Sequence, residues 1–580
     1  MRRLLLAELV FTALVSTLLF SSPTIFAYYQ LGGLAHIGIA ALVFVLLRQH
    51  AYWLLIGLSA IALPLALILL PPHFGALDLF LILWTLGGLP LIGAALLGRQ
   101  ITPQTFPFPR LLLIVVIVVG CIISLRSIRA FPNFSATDEA MIYNYVDTFE
   151  RRGKIEASLI PYPAPVVTGN LYVYAAELWT NVFRGDPFAL RNFSALGGFV
   201  LIMVVFATAR ALRDALTGWI AAALLATNLL WLAVSHVVRQ EIWLAVFVWL
   251  SVWLSLQARK RASGALALLA GLIVTLSADV HPLGALACVA LGVWWIAQSR
   301  LKRRLLLLFI LGGLIGTASY LVIHVLPDPT YFLAGVRDEL FSYGAEGSTP
   351  LGAMIARHLN YLQSNPLEVA LLLGCTLWGL RQQEARWLGI FIGALMLLYA
   401  LLVADPNLYY PMVWIPGLVI LAAIGLQTVA WHKRAPLMVA FLAAFVFNTA
   451  LIERHINADW NERALNAIQQ VAAHVPNEGR GTGESFLYLA LRDPSFIGFT
   501  FVNIWARDAG ISRWQIVETL KPDWIVTVRD ENAFTPPFSI LSVDVPNMHL
   551  EIPDAALAEQ YHLSTSIETS VGSFEIWQRS

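Results

Sequence analysis

Asp138 and Glu139 stand side by side in SATDEAMIYNYVDTFERRG, a polar stretch between long apolar blocks. Two acids that open a helix are stabilised by the free N–H groups and the dipole there. Fixed at a membrane surface, the same carboxylates have a second use: accepting a proton or holding a divalent cation. The sequence alone leaves both readings open. In SHVVRQEIW, Arg239 and Glu241 are two apart and share no helix face, so an irregular turn is expected. They form a surface ion pair, or Arg239 meets an anionic head group while Glu241 orients it or contacts a sugar hydroxyl. TLSADVHPLG puts Asp279 and His281 at the end of one apolar helix and Pro282 at the start of the next. An acid so near hydrocarbon needs water or a partner, and His281 reads equally as an interfacial residue, a hydrogen-bond donor or a metal ligand. VADPNLYYPMVWIPG carries Asp405, Asn407, Tyr409 and Tyr410, suited to an interfacial belt or to a groove for a lipid-linked ligand. Arg337 and Arg357 lie on otherwise apolar amphipathic pieces, of the kind that rest in the interface and touch a lipid phosphate.

These groups need elements to hold them, and the composition says which. Of 580 residues, 58% are hydrophobic and 13% charged, too apolar for a water-soluble chain. The apolar residues fall in blocks, several approaching or exceeding the roughly 20 residues that cross hydrocarbon as a helix. The expected fold is a polytopic all-α membrane protein of about 15 transmembrane helices with a small C-terminal α/β domain. The spans are placed at 4–22, 25–47, 51–70, 76–97, 110–129, 193–210, 215–234, 241–257, 262–280, 283–299, 304–324, 367–380, 387–404, 411–430 and 435–452. The basic first residues therefore read as the start of a retained span rather than a cleaved signal.

Basic residues at the ends of the blocks set the orientation. Arg2, Arg3, Arg48, Arg99, Arg110, Arg210, Arg213, the run 259–261, the cluster 300–304, Arg381, Arg386, Lys433 and Arg434 fall at nearly every second turn. That side is expected to be cytoplasmic, together with the N-terminus. Arg126, Arg129, Arg184, Arg191, Arg239 and Arg337 fall on the other side and break the rule. The expected domains are an N-terminal module of about four spans over 1–109, a transmembrane core over 110–452 with outer loops 130–192 and 325–366, and an extracytoplasmic α/β domain over 453–580. In that last part, 458–475 reads as an amphipathic helix carrying Leu465, Ile468 and Val471, and 485–491, 523–528, 538–545 and 573–578 read as strands.

Several classes lose support. A net charge of +1 gives no bulk electrostatic case for nucleic acid. Cys121, Cys288 and Cys375 suit neither a disulfide framework nor structural zinc and read as apolar packing residues. The sequence holds no P-loop, GxGxxG or HExxH, which argues against nucleotide-driven transport and zincin hydrolysis.

The acidic pair in the first large outer loop, the stretch GNLYVYAAELWTNVFRGDPFALRNFSALGG with Gly185 and Arg191, the turn VRQE and the turn DVHPLG together resemble a known family. They are similar to the membrane-embedded glycosyltransferases of the GT-C class, in the branch of the protein O-mannosyltransferases and the lipid A aminoarabinose transferase. The resemblance covers roughly 110–452, with four additional spans ahead of the acidic loop, and IPYPAPVVTGNLYVY lacks the lysine-proline-proline of the aminoarabinose enzyme. It implies a glycosyltransferase moving a sugar, with inversion, from a polyprenyl-phosphate donor to an acceptor hydroxyl on a lipid, glycan or protein at the outer face. It implies Asp138 as base, Glu139 as its catalytic neighbour, and Arg239, Glu241, Asp279, His281, Arg337, Tyr409 and Tyr410 as substrate-binding residues. No cofactor is required, and a divalent cation (Mg or Mn) on Asp138 and His281 is compatible with the set. The expected location is a prokaryotic plasma membrane. The competing readings are a lipid-linked glycan flippase or transporter, a polymer ligase and a non-enzymatic scaffold.

Overall fold

The computed structural model describes residues 108–130, 136–152, 169–183, 188–297, 303–326, 329–330, 332–333, 349–403, 407–429, 431–476, 478–493, 495–529 and 554–580. The four expected spans before residue 98, the strand expected at 538–545, Arg337 and Asp405 lie outside the described residues.

The first described helices are α1 (Phe108–Ser127), α2 (Ala136–Arg152), α3 (Asn170–Val182) and α4 (Ala189–Leu212). There follow α5 (Ala215–Ala226), α6 (Leu229–Val234), α7 (Glu241–Arg261), α8 (Gly264–Val280), α9 (Gly284–Ala297) and α10 (Arg303–Tyr320), which runs on into a π-turn Leu321–Val325. Then come α11 (Pro350–Ser364), α12 (Pro366–Gly379), α13 (Gln383–Leu402), α14 (Ile415–Thr428) and α15 (Trp431–Ala458).

The expectation of about 15 membrane-spanning helices is overturned: among the described residues only 4 are long and apolar enough to cross. They are Ala189–Leu212, Glu241–Arg261, Arg303–Val325 and Gln383–Leu402. Six other apolar helices among the described residues are shorter, and for two of the expected spans the reason lies at their ends. The block read as one span over 215–234 breaks at Thr227, where Asn228 turns its side chain to the Trp231 N–H and caps α6. The block read as 411–430 starts its helix only at Ile415, after a 3-10 turn over Tyr410–Val413. Apolar composition persists across these breaks because the broken segments are buried among their neighbours, Leu229–Val234 at 0% exposure. The multi-pass helical build itself is plain.

Helices approach closely where side chains are small. A Cβ on Gly312 of α10 would lie 2.0 Å from the Leu268 carbonyl oxygen of α8, so the two backbones touch there. Buried polar groups tie other helices together. Glu368 in the first turn of α12 accepts from the Leu229 N–H (3.3 Å), Asn365 (3.1 Å), Asn448 (3.0 Å) and Asn228. Asn228 also donates to the Tyr361 hydroxyl at 2.6 Å, which brings α11 into the same network.

After α15 an αL residue, Asp459 (φ 50), turns the chain into α16 (Trp460–Ala472), whose buried face is Ala464, Leu465, Ala467, Ile468 and Val471. The C-terminal sheet holds β1 (Gly481–Gly483), β2 (Ile497–Gly498), β3 (Trp524–Val528), β4 (Tyr561–Thr569) and β5 (Gly572–Arg579), in the order β2-β1-β3-β5-β4. β1 runs parallel to β2 and β3, while β5 pairs antiparallel with β3 and β4. Helices α17 (Phe499–Ala509) and α18 (Arg513–Leu520) join β2 to β3. The run 485–491 is not a strand as expected but a 3-10 turn followed by one helical turn, Tyr488–Leu491. A short apolar run carries no clear period, and burial on every side suits either conformation.

The contact between α8 and α10 makes a direct prediction. Gly312→Ala is expected to lower stability by about 1–3 kcal/mol, because the new methyl meets backbone that cannot turn aside. Gly292→Ala, with nothing within 4 Å of the new Cβ, serves as control, and thermal unfolding of the full chain in detergent compares them. Equal midpoints for both variants would show that the two helices part without cost.

Candidate functional site

The candidate site is built where several helix ends converge. The segment 236–240 is irregular, as the spacing of Arg239 and Glu241 required: Arg239 N–H donates to the Val237 carbonyl at 2.8 Å, and α7 begins at Glu241. This turn lets the Arg239 guanidinium fold back on the Glu241 carboxylate, with Nε and Nη2 each 2.8 Å from Oε1. Glu241 is fully buried and Arg239 retains 12% side-chain exposure. The carboxylate also sits at the positive end of α7, which stabilises its charge.

Each of two neighbouring tyrosines packs against an arginine. Arg239 lies 5.5 Å from the centre of the Tyr409 ring, and Arg357 the same distance from that of Tyr410. His281, the residue after α8, meets Tyr410 edge-on at 5.8 Å. Its Nδ1 accepts the Leu283 N–H at 3.1 Å, and burial, with the Arg239 charge second, pushes its imidazole down to about 3. A neutral ring that accepts at Nδ1 carries its proton on Nε2, so His281 is a donor here and not a cation.

Arg357 and Tyr399 belong to the same cluster; the sequence marks Arg357 only as lying on a segment that could touch a lipid phosphate, and does not select Tyr399. Arg357 is fully buried on α11, donating to the Val403 carbonyl at 2.8 Å and the Ala353 carbonyl at 3.2 Å. Thr349 caps α11 and Pro350 starts it, which fixes where Arg357 emerges. Tyr399, at the end of α13, packs at 6.1 Å from Tyr410 and 5.1 Å from Trp414. The available signal for Arg357 was a lone arginine on an apolar amphipathic helix. Tyr399 gave none, since a tyrosine in an apolar block reads as core.

Glu139 is 1% exposed and holds Arg191 of α4 in a two-pronged ion pair, Nη2 to Oε1 at 2.8 Å and Nε to Oε2 at 3.3 Å. Arg191 also donates to the Ile128 carbonyl at 3.1 Å. Asp138 lies in the first turn of α2, and its side chain is outside the described residues. Tyr172 of α3 connects the two regions: burial, then the Glu241 carboxylate, with Glu139 adding less, push its hydroxyl well above the ordinary range. From Tyr172 the ring contacts run through Phe193 (5.8 Å) to Trp243 (4.9 Å), two residues into α7 from Glu241.

Asp279 faces away from this cluster to His324 in the π-turn of α10, 2.6 Å from its Nε2. Its backbone is nonetheless next to the cluster. Gly169 N–H donates to the Val280 carbonyl at 3.1 Å, and a Cβ on Gly169 would lie 1.6 Å from the Asp279 oxygen. Only glycine lets α3 start there. Among the described residues no three His, Cys, Asp or Glu side chains converge, and the Asp138 side chain, one of the two expected for a cation, lies outside them. The His281 Nδ1 is already engaged by a backbone donor.

A sequence-family model described as dolichyl-phosphate-mannose-protein mannosyltransferase matches residues 169–323. No curated protein matches the chain. Among solved structures, ArnT from Cupriavidus metallidurans bound to undecaprenyl phosphate superposes with a TM-score of 0.59 at 15% identity, covering 80% of this chain and 97% of that one. The apo state of the same protein gives a TM-score of 0.57 at 14% identity, with coverages of 80% and 97%. At such identities the likeness is one of fold, and the fold is GT-C-like.

The pairing of Glu139 with Arg191 predicts that Arg191→Ala costs about 3–5 kcal/mol, since it strands a buried carboxylate. The double variant Glu139→Gln, Arg191→Met is expected to cost clearly less than the sum of the single changes. Unfolding of the four proteins in one detergent gives the cycle. Additive losses would mean the two side chains do not interact.

Proposed function

We propose that the chain is a membrane glycosyltransferase that moves a sugar from a polyprenyl-phosphate donor to an acceptor hydroxyl at the outer face, with inversion at the anomeric carbon. The observation that carries this reading is the cluster of side chains itself. An arginine held by a buried carboxylate, a second buried arginine, tyrosines and a neutral histidine meet at the helix ends of a GT-C-like fold. The ArnT structure that shares this fold holds undecaprenyl phosphate, the same class of carrier.

In the proposed reaction Asp138 takes the proton of the acceptor hydroxyl as that oxygen attacks the anomeric carbon from the face opposite the phosphate. The bond from that carbon to the phosphate oxygen breaks, and the electron pair leaves with the phosphate. Arg239 faces the charge that builds there, in a site that excludes water and so strengthens the attraction. Glu241 fixes the guanidinium before the donor arrives, so no reorganisation accompanies the chemistry. Tyr409 and Tyr410 wall the sugar, and the His281 Nε2 proton offers a hydroxyl or phosphate oxygen a donor. Arg337 is a second candidate for the phosphate. Glu139 supports α2 through Arg191, which leaves the proton transfer to Asp138. Asp279 acts on the turn through His324. No step is routed through a cation.

The proposed reading has the N-terminus in the cytoplasm and the site and C-terminal domain outside a prokaryotic plasma membrane, an orientation that the bias of basic residues toward one set of block ends supports. Acceptors of the lipid, glycan or protein class fit a site at that surface equally well.

Turnover of radiolabelled polyprenyl-phosphate sugars by the purified protein in lipid, with release of polyprenyl phosphate followed in parallel, is the test. Asp138→Asn is expected to lower turnover about 10²–10⁴-fold with donor binding kept, whereas Arg239→Gln weakens donor binding and turnover together. Full turnover by Asp138→Asn removes it as base. Movement of intact lipid-linked glycan without release of the carrier would replace transfer by transport.

A further inference from the structure

A second recess opens at the opposite, basic ends of the helices. It lies between the last turns of α4, α7 and α9 and the start of α13. Arg259, Trp294 and Trp387 line its outer turn, with Leu256, Leu291 and Phe391 one turn deeper. The Arg259 guanidinium sits 5.5 Å from the Trp294 ring centre. Among the described residues it meets no carboxylate at ion-pair distance; Glu384, which also lines the recess, is 3.5 Å from Arg213 instead. Arg259 thus presents N–H donors that an indole face attracts but cannot accept.

The surroundings define what such a cation would take. Exposed apolar strips lead away along α9 (Val289, Val293, Ile296) and α13 (Ile390, Leu397, Leu401), surfaces suited to hydrocarbon and not to water. Lys260 and Arg261 follow Arg259 on the exposed helix end, so the local field favours an anion. Tryptophans at this level sit where acyl chains give way to head groups. We propose that this recess binds one anionic phospholipid from the leaflet on the basic side, its phosphate on Arg259 and its acyl chains along the strips of α9 and α13. This recess lies at the other end of the helices from the proposed sugar-transfer site and does not depend on it.

Native mass spectrometry of the full chain, titrated in detergent with dioleoyl phosphatidylglycerol or dioleoyl phosphatidylcholine, tests the proposal. The wild type is expected to retain one phosphatidylglycerol in preference to phosphatidylcholine. Arg259→Gln is expected to weaken that retention about tenfold, the scale of one charge-assisted contact. Trp294→Leu, which keeps the charge, is the second arm: weaker retention with the preference for phosphatidylglycerol intact. Equal retention of the two lipids by the wild type, or unchanged affinity in both variants, overturns the proposal. Displacement of the lipid by equimolar glycerol phosphate would also overturn it, by showing that the acyl chains contribute nothing.

Discussion

A helix that ends inside an apolar assembly leaves four N–H and four C=O groups without helical partners, and each is costly where water does not reach. That constraint governs where this chain turns. Even at an exposed turn, Asp214 caps α5 by accepting from the Thr217 N–H at 2.8 Å, and Gln427 of α14 donates to its other oxygen at 2.7 Å. Asn365 caps α12 and meets Asn448 of α15, while Asn228 caps α6 and reaches Glu368. Each cap therefore serves the backbone of one helix and holds the side of another. Polar residues gather at the breaks because the breaks require them, and the candidate site is one such gathering with arginines added.

The same constraint explains what could be read in the sequence. Arg239, Glu241, His281, Tyr409 and Tyr410 stand in short turns between apolar blocks, so their place at helix ends follows from local composition. The partnership of Glu139 with Arg191 spans 52 positions and that of Asn228 with Glu368 spans 140, distances over which no local pattern operates. Asp279 illustrates the limit. Its position beside hydrocarbon announced a partner, but nothing near it in sequence pointed to His324, 45 residues on. The number of spans failed for a related reason. Hydropathy measures burial, and in a helical bundle a segment buried by protein has the composition of one buried by lipid.

Burial also divides labour between like residues. Among the described residues, Arg210, Arg261, Arg303, Arg304, Arg381 and Arg386 at the basic ends are exposed, while Arg191 and Arg357 are fully enclosed. Arg191 is enclosed with its counter-charge, so it contributes rigidity rather than free charge. Arg239 lies between these cases: its charge is held by Glu241, yet part of its surface stays open. Only that intermediate state combines a fixed direction with access for a ligand.

Helix α2 takes part in two bodies at once. Glu139, Tyr143 and Asp147 recur at a spacing of four and so share one face. Arg191 of the helical bundle grips the first, while Arg492, from beyond the sheet's first strand, lies 4.4 Å from the Tyr143 ring centre and within 2.6 Å of both Asp147 oxygens. Tyr488 adds a hydrogen bond to Asp147 at 3.1 Å. The outer domain cannot come loose without baring a carboxylate on α2, and α2 cannot unwind without releasing arginines on both sides. The tail and the helix that carries Asp138 thus melt as a single cooperative unit, so proteolysis or hydrogen exchange in the one reports on order in the other.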